Sequence, residues 1–330
     1  MRAPGSPGMV GVFNERSIAM STTTRPGGLV GTTFAAAVTL GGANFIAVRF
    51  SNRELDPFFG AGLRFTLAAT LFVIITLVLR LPWPRHRQLA LTLLYGLLGF
   101  AAFYALMYWA LLSVTAGVAT VVLALVPLVT ILLAAAQGLE RLTRRALSGS
   151  LLAMAGIVSM VVASSEVELP LSALVAMIGA ALCAGQGVIV TKKVAGNHPA
   201  VTNAVGMLTG AGALFALSAL TGESWVLPRQ PEVVWSLVYL VTLGSVGLFV
   251  LLMLVVRRWS ASATSYMFVL FPVVTMLLDV WLSNEPITPN GAVGAILVMT
   301  GVWFGALSSS TGASNTATRP EHPMPVFEQG

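Results

Sequence analysis

Apolar residues occur along this chain in long runs separated by short polar connections. Ten such runs are present, and most are about 20 residues long, the length that an α-helix needs to cross a bilayer. The pattern predicts an all-α integral membrane protein with ten transmembrane helices. We place these helices at residues 30–50, 57–80, 89–111, 115–137, 146–164, 170–192, 200–221, 233–255, 260–282 and 288–308.

The second half of the chain repeats the first at a constant offset, which aligns Ala116 with Ala261 and Gly156 with Gly301. Between Ala116 and Gly156, 13 of 41 positions are identical to their counterparts, including a proline, a glutamate and two glycines. Each half has five apolar runs, and because five is odd, the second half enters the membrane from the opposite side. We therefore predict two inverted five-helix repeats, an arrangement typical of secondary transporters, whose substrate site lies where the halves meet.

The repeats define the predicted domains. The first repeat covers residues 29–165 and the second covers residues 166–308. We predict that residues 1–28 and 309–330 are disordered cytoplasmic tails. The N-terminus lacks the layout of a cleaved signal peptide, and translation starts at either Met1 or Met20.

The distribution of charged residues predicts the orientation of the helices in the membrane. Only 9% of the residues are charged, against about 25% in a typical soluble domain. Fourteen basic residues fall on one predicted face and three on the other. Because Lys and Arg are retained on the cytoplasmic side, we predict a multi-pass cell-membrane protein with both termini in the cytoplasm. The net charge of +6 is explained by these loops, so it does not indicate nucleic-acid binding.

Cofactor chemistry has little support in the sequence. Cys183 is the only cysteine, and the three histidines lie in predicted loops or in the tail, so we expect no metal site. No glycine-rich nucleotide-binding motif is present either. We therefore expect no cofactor, and transport would run on a gradient.

Several short motifs follow the pattern of a known family. They are the segment Gly41–Arg49, Arg64 with its neighbours, Tyr108–Ala116, Pro127, Leu139–Thr143 and Gly149, and the later part of this pattern recurs over residues 257–301. In these motifs the chain resembles the EamA-like permeases of the drug/metabolite transporter superfamily, and the resemblance covers most of the chain, from the first predicted helix to the last.

This resemblance implies ten helices in two inverted repeats around a central cavity that opens alternately to either face. Members carry amino acids, other small metabolites or drugs, often outward and coupled to an ion gradient. We expect an exporter of a small metabolite that works by alternating access, as a monomer or a homodimer. Its expected partners are the small-molecule substrate, the lipid bilayer and a coupling ion such as a proton. An uptake permease of the same fold and an intramembrane enzyme acting on lipid-linked substrates are the alternatives.

Two ionisable residues within predicted spans are candidates for this chemistry. Arg64 lies about seven residues into the second helix, where an arginine needs a wet cavity or a partner. It either binds an anionic group of the substrate or gates by ion pairing, or it clamps carbonyl groups of a neighbouring helix. Asp279 is a candidate proton carrier for coupling, or an interfacial residue that reaches headgroup water.

Uncharged residues complete the predicted site. Asn44 and Gln186 occupy matching positions of the two halves when Pro57 is aligned with Pro199, and both lie beside glycines, so we predict an amide pair at the cavity. Interhelical hydrogen bonding is the alternative role for this pair. The remaining predicted substrate-binding residues are aromatic: Tyr104, Tyr108 and Tyr266.

Two prolines are candidates for gating. Pro127 and Pro272 fall in the middle of matching spans, where each frees a carbonyl group and can kink its helix. A fixed kink that serves packing is the alternative.

Overall fold

A computed structural model gives the fold of the chain, and every element in the part that it describes is a helix. The helices are α1 Gly28–Ser51, α2 Pro57–Val78, α3 His86–Ala110, α4 Ala116–Ala136, α5 Arg144–Ala163, α6 Leu171–Val194, α7 Pro199–Thr221, α8 Pro231–Arg257, α9 Met267–Leu278 and α10 Pro289–Val302. The described residues are 28–138, 144–163, 170–194, 196–258, 264–265, 267–278, 281 and 289–304. The predicted tails fall almost entirely outside these ranges.

Seven of the described helices are long and apolar enough to cross a membrane: α1, α2, α3, α4, α6, α7 and α8. Helices α5 and α10 contain the shorter apolar stretches Leu147–Gly156 and Ala292–Gly301. The predicted all-helical membrane class is therefore confirmed. That α5, α9 and α10 also span the membrane stays a prediction.

Helix starts follow from the local sequence. Pro57, Pro199 and Pro231 each lie in the first turn of a helix, where a missing N–H breaks no intrahelical hydrogen bond. The Thr115 side chain caps α4 by accepting a hydrogen bond from the Val118 amide at 3.3 Å.

Helices α3 and α8 each contain one π-helical turn. These turns, Leu97–Ala102 and Thr242–Gly247, occupy equivalent positions of the sequence repeat. The two halves therefore share a local distortion as well as a sequence pattern. Such π turns are rare and concentrate at functional sites.

The helices that contain the two predicted proline kinks differ in the structure. Helix α4 is interrupted at residues 124–125, immediately before the segment that contains Pro127. Helix α9 continues through Pro272. The two proline segments therefore differ in helical continuity, and the kinks and the gating role of either proline stay predictions.

Contacts between helices come in matched pairs, as expected for a repeat. Helices α2 and α7, which are equivalent in the two halves, pack on each other, and so do α5 and α10. The packing of α1 on α8 and α9 is matched by that of α6 on α3 and α4. Glu223, just beyond the end of α7, bonds the Phe58 and Phe59 amides at the start of α2. Equivalent helices α2 and α7 are thus antiparallel, as an inverted repeat requires.

Candidate substrate cavity and arginine clamp

A cavity of about 100 Å³ lies between the two halves of the molecule. Helices α1 and α3 of the first half and α6, α8 and α9 of the second supply its walls, which are mostly aromatic and aliphatic. The lining includes Thr191 and Val256, close to the last residues of α6 and α8, and it also includes Asn44 and Tyr104. An apolar cavity with a few polar atoms is the usual form of a small-molecule site.

Arg64 is completely buried, and its side chain joins α2 to the π turn of α8. The Nε group donates to the Ser245 hydroxyl at 2.8 Å, and Nη2 donates to the Gly244 carbonyl at 2.9 Å. Nη1 donates to the Tyr108 hydroxyl at 3.3 Å. The guanidinium also lies 5.1 Å from the centre of the Tyr104 ring, within cation–π range. In this conformation Arg64 clamps a neighbouring helix and does not line the cavity.

The π turn makes the Gly244 carbonyl available to these side chains. In an α-helix the Leu248 amide would donate to Gly244, but here it donates to Leu243 and Ser245. The Gly244 oxygen accepts from Arg64 and also from the Asn44 amide nitrogen at 3.0 Å. This arrangement, which we call the arginine clamp, consists of Arg64, Asn44, Tyr108, Gly244 and Ser245.

Asn44 connects the clamp to the cavity. Its amide nitrogen faces the Gly244 carbonyl, so its side-chain oxygen is the atom left for another partner. The residue is 4% exposed, and no described group bonds to that oxygen. Because an unpaired buried oxygen costs free energy, Asn44 is a natural site for a hydrogen-bond donor of a ligand.

Two predicted tyrosines lie next to each other beside the cavity. Tyr104 lines it, whereas Tyr108 lies behind the lining and bonds Arg64. Their ring centres are 6.3 Å apart in an edge-to-face arrangement. The structure therefore brings four of the predicted substrate-binding residues together beside the cavity: Arg64, Asn44, Tyr104 and Tyr108.

Gln186 lies away from this group. Its side-chain oxygen accepts a hydrogen bond at 2.8 Å from Gln137, at the end of α4, and it does not line the cavity. The predicted amide pair around the cavity is therefore not formed. On the cavity wall, the neighbouring Gly187 faces Gly99 of the first π turn instead.

The remaining predicted site residues contribute little to this geometry. Pro127 and Pro272 are buried within α4 and α9, and neither lines the cavity. Tyr266 and Asp279 lie outside the described residues.

Sequence reasoning missed Ser245, Gly244 and a second buried polar pair. The Tyr95 hydroxyl, on the cavity wall, donates to the Asn203 side chain of α7 at 3.3 Å. A signal for the π turns was present, because Leu98 and Gly99 are identical to their counterparts in the second repeat. Ser245 has Phe100 as its counterpart, so its role had no such signal.

Carboxylates close the opposite end of the bundle, where α1 joins α2 and α7 joins α8. Glu223 accepts from the amides of Phe58 and Phe59 at 3.0 and 2.7 Å, and Asp56 accepts from the Ser224 amide at 2.7 Å. Glu54 accepts from two further amides at 2.8 and 3.0 Å, those of Arg229 and Gln230. We call this set of three carboxylates and five amides the loop clasp. It caps the first turn of α2, holds the two residues just before α8, and ties the two halves together.

The described part of the chain contains no candidate metal site. There, no three His, Cys, Asp or Glu side chains are close enough together to hold an ion.

Known proteins with similar sequences are transporters by name. At 32% identity over 263 residues, the chain matches a probable terminal-alkyne amino-acid exporter of Streptantibioticus cattleyicolor, covering 75% of this chain and 84% of that protein. At 29% identity it matches a probable amino-acid metabolite efflux pump of Salmonella typhimurium, covering 81% of this chain and 91% of the pump. An archaeal relative from Archaeoglobus fulgidus, named as an uncharacterized transporter, is 27% identical over 277 residues, covering 82% of this chain and 96% of that protein.

Comparison of folds and of family patterns agrees with these names. A crystal structure of a protein 21% identical in sequence superposes with a TM-score of 0.63, covering 86% of this chain and 98% of that one. That similarity concerns the fold alone. The pattern of the EamA-like transporter family matches twice, over residues 29–162 and 171–306, close to the two predicted repeats. The chain therefore belongs to the EamA-like transporter family and is a multi-pass membrane transporter.

Proposed function

We propose that this transporter exports a small metabolite with an apolar body and an amino-acid-like polar end, by alternating access. The cavity between the two repeats is the observation that carries the proposal. Its lining reaches the last turns of α6 and α8 and includes no residue of the loop clasp at the other end. A central site that extends toward one end of the bundle and stops short of the other fits alternating access.

Charge indicates the side of the membrane that the cavity faces, and the names of relatives indicate the direction of transport. The connections and helix ends at the cavity end of the bundle carry basic residues, among them Arg80, Arg85, Lys192, Lys193 and Arg257. The retention of such residues in the cytoplasm supports a cavity that loads from the cytoplasmic side. The exporter names of two relatives support the same direction.

The substrate class follows from the walls and from the relatives. Aromatic side chains such as Phe45, Phe103 and Phe268 form much of the lining, which favours an apolar body. The names of the relatives concern amino acids and their metabolites, which adds a polar end. In the other conformation we expect the arginine clamp to meet that end, with Asp279 carrying the coupling proton and Pro127 and Pro272 flexing.

Flux measurements test the transport proposal. Purified protein in liposomes preloaded with apolar amino acids and related metabolites should exchange at least one labelled compound. We expect Asp279→Asn to abolish flux driven by a pH gradient while exchange continues. A broad panel without flux in either direction contradicts transport of this class, and unchanged gradient-driven flux in Asp279→Asn contradicts proton coupling.

Metabolite profiling of cells with and without the gene separates export from uptake. An exporter makes its substrate accumulate in the medium of cells that express it, whereas an uptake permease depletes the medium. Depletion alone would replace the export proposal by its same-fold alternative.

A further inference from the structure

The two π turns are equivalent in backbone geometry but differ in what covers their carbonyl groups. Gly99 stands in the first turn where Gly244 stands in the second. In each turn the amide four residues on bypasses the glycine, because Phe103 donates to Leu98 just as Leu248 donates to Leu243. Gly244 is covered by Arg64 and Asn44, whereas no described side chain donates to Gly99.

The cavity reaches the backbone of Gly99. On the facing helix, Gly187 stands against it much as Asn44 stands against Gly244, and both Gly99 and Gly187 line the cavity. A methyl group built on Gly187 would lie 3.8 Å from the Gly99 Cα, at ordinary contact distance. The first half thus has the bypassed glycine of the clamp without the side chains that cover its counterpart.

A second acceptor belongs to the same cavity. The Asn44 side-chain oxygen is buried and lacks a partner among the described residues, and Asn44 is on the cavity lining. An unpaired Asn44 oxygen, in a cavity that also reaches a glycine bypassed by its helix, calls for a ligand with N–H donors, because an unpaired acceptor costs free energy.

The charge near the cavity limits the ligand further. Among the residues that line it, none is acidic or basic, but two described cations lie beside it. Arg64 lies behind the Tyr104 ring, and Lys192, next to Thr191 of the lining, donates to the Val256 carbonyl at 3.2 Å. Arg64 has no carboxylate partner in the described part of the chain. A bare amine would meet uncompensated positive charge, whereas a zwitterion brings its own carboxylate.

We propose that the Gly99 carbonyl oxygen and the Asn44 side-chain oxygen form the subsite for the amino group of a zwitterionic substrate. The subsite rests on the proposed function, because it assigns one end of the exported molecule. It makes the amino group, as well as the apolar body, a determinant of specificity. The donors that the protein supplies at Gly244 are supplied at Gly99 by the substrate.

Paired ligands test the subsite. Dissociation constants of purified wild-type protein are measured for apolar α-amino acids such as leucine, each beside its des-amino counterpart such as 4-methylpentanoate. We expect the amino acid to bind at least about tenfold more tightly, since a hydrogen bond from a charged donor is lost in the counterpart. The Arg64 charge by itself would favour the des-amino anion, so it cannot produce this preference.

The outcomes separate the two proposals. Equal binding within a pair overturns the subsite and leaves the transport of apolar carboxylates standing. Absence of binding by every compound of the panel overturns the proposed substrate class together with the subsite.

A variant pair at Gly187 adds a test of position. Gly187→Asn places an amide in front of Gly99, as Asn44 is placed before Gly244, so we expect the preference for the amino acid to fall to about threefold or less. Gly187→Leu fills similar space without a donor and should weaken both ligands while the preference stays near tenfold. An undiminished preference in Gly187→Asn, in protein whose gel-filtration profile matches the wild type, contradicts the role of Gly99.

Discussion

Arg64 shows how an apolar bundle can tolerate a charged side chain. A buried arginine is costly unless its donors are satisfied, and here a hydroxyl, a backbone carbonyl and a phenol accept three of its N–H groups. The planar guanidinium suits this set because its donors point in fixed, diverging directions. The clamp therefore depends on the shape of the side chain as well as on its charge.

Replacement of Arg64 tests this dependence. We expect Arg64→Lys to retain less than about a tenth of the transport rate, because an ammonium cannot reach the three acceptors together. Arg64→Ala leaves the Gly244 carbonyl with fewer donors and should destabilise the protein by about 3 kcal/mol.

Thermal unfolding in detergent and flux in liposomes provide the measurements. Thr70→Ala is the control on the same helix, since Thr70 is exposed and bonds only the Thr66 carbonyl of α2. Its unfolding free energy should change by less than about 0.5 kcal/mol. Full activity of Arg64→Lys would contradict the geometric role.

Residue identities were predictable where a polar group stands out against an apolar helix. Arg64 and Asn44 were found in this way, and they lie together. Sequence spacing alone pairs Gln186 with Asn44. A shift of one residue turns a helical side chain by about 100°. Gln186 accordingly bonds Gln137, while the next residue, Gly187, lines the cavity.

At the scale of elements, the π turns carry the difference between the two halves. A methyl group built on Gly244 would overlap the Asn44 side-chain oxygen, whereas one built on Gly99 would lie 3.5 Å from the Tyr95 ring. The same substitution thus meets a clash in α8 and an ordinary contact in α3.

Alanine at these equivalent glycines should give opposite results. We expect Gly244→Ala to displace Asn44, to lower the unfolding free energy by about 1–3 kcal/mol and to abolish transport. Gly99→Ala should fold with nearly wild-type stability. Melting temperatures of the two purified variants, measured side by side, decide the matter, and equal losses would contradict the asymmetry of the turns.

Helices α5 and α10 pack through glycine. A methyl group on Gly301 would lie 2.5 Å from the Ala153 amide nitrogen, and one on Gly156 would lie 2.8 Å from the Val298 amide nitrogen. Backbone atoms cannot rotate away, so close approach of these helices requires glycine.

Gly301→Ala should therefore destabilise the bundle by about 1–3 kcal/mol. Gly212→Ala serves as the control, because nothing lies within 4 Å of the added methyl group. That variant should be neutral or slightly stabilising, since alanine favours a helix. Urea or heat unfolding of both variants measures the difference, and a stable Gly301→Ala would argue against tight α5–α10 packing.

At the scale of the whole molecule, most of the fold could be predicted from length and hydropathy. The boundaries of the seven long apolar helices fall within a few residues of those expected, because a bilayer fixes the length of a helix. The loop clasp was not predicted. Its hydrogen bonds join residues 164 to 176 positions apart, and chain order does not reveal such contacts.

Opening of the clasp should expose the cavity to the opposite side. In protein carrying Cys183→Ala, a reporter cysteine is placed on the cavity wall with Val188→Cys. Neutralising the clasp with Glu54→Gln, Asp56→Asn and Glu223→Gln weakens five hydrogen bonds to backbone amides. We expect a membrane-impermeant maleimide, added from the clasp side, to label the reporter at least about tenfold faster.

Glu232→Gln is the matched control for this experiment. Its carboxylate pairs with Arg53 at 3.1 Å, but both side chains are more than half exposed, so the pair contributes little. Labelling of that variant should match the parent protein. An unchanged rate in the triple variant would show that the clasp does not hold the closed state.

The residues of the arginine clamp are synthesised at different times during translation. Arg64 donates to Gly244 and Ser245, which follow it by 180 and 181 residues, and only Tyr108 is made soon after it. At about 5–20 residues per second, a ribosome needs roughly 10–40 seconds to supply the later partners. During that interval α2 resides at the translocon or in the bilayer with a largely unpaired arginine. Its insertion therefore relies on the apolar residues around Arg64, and final assembly waits for α8.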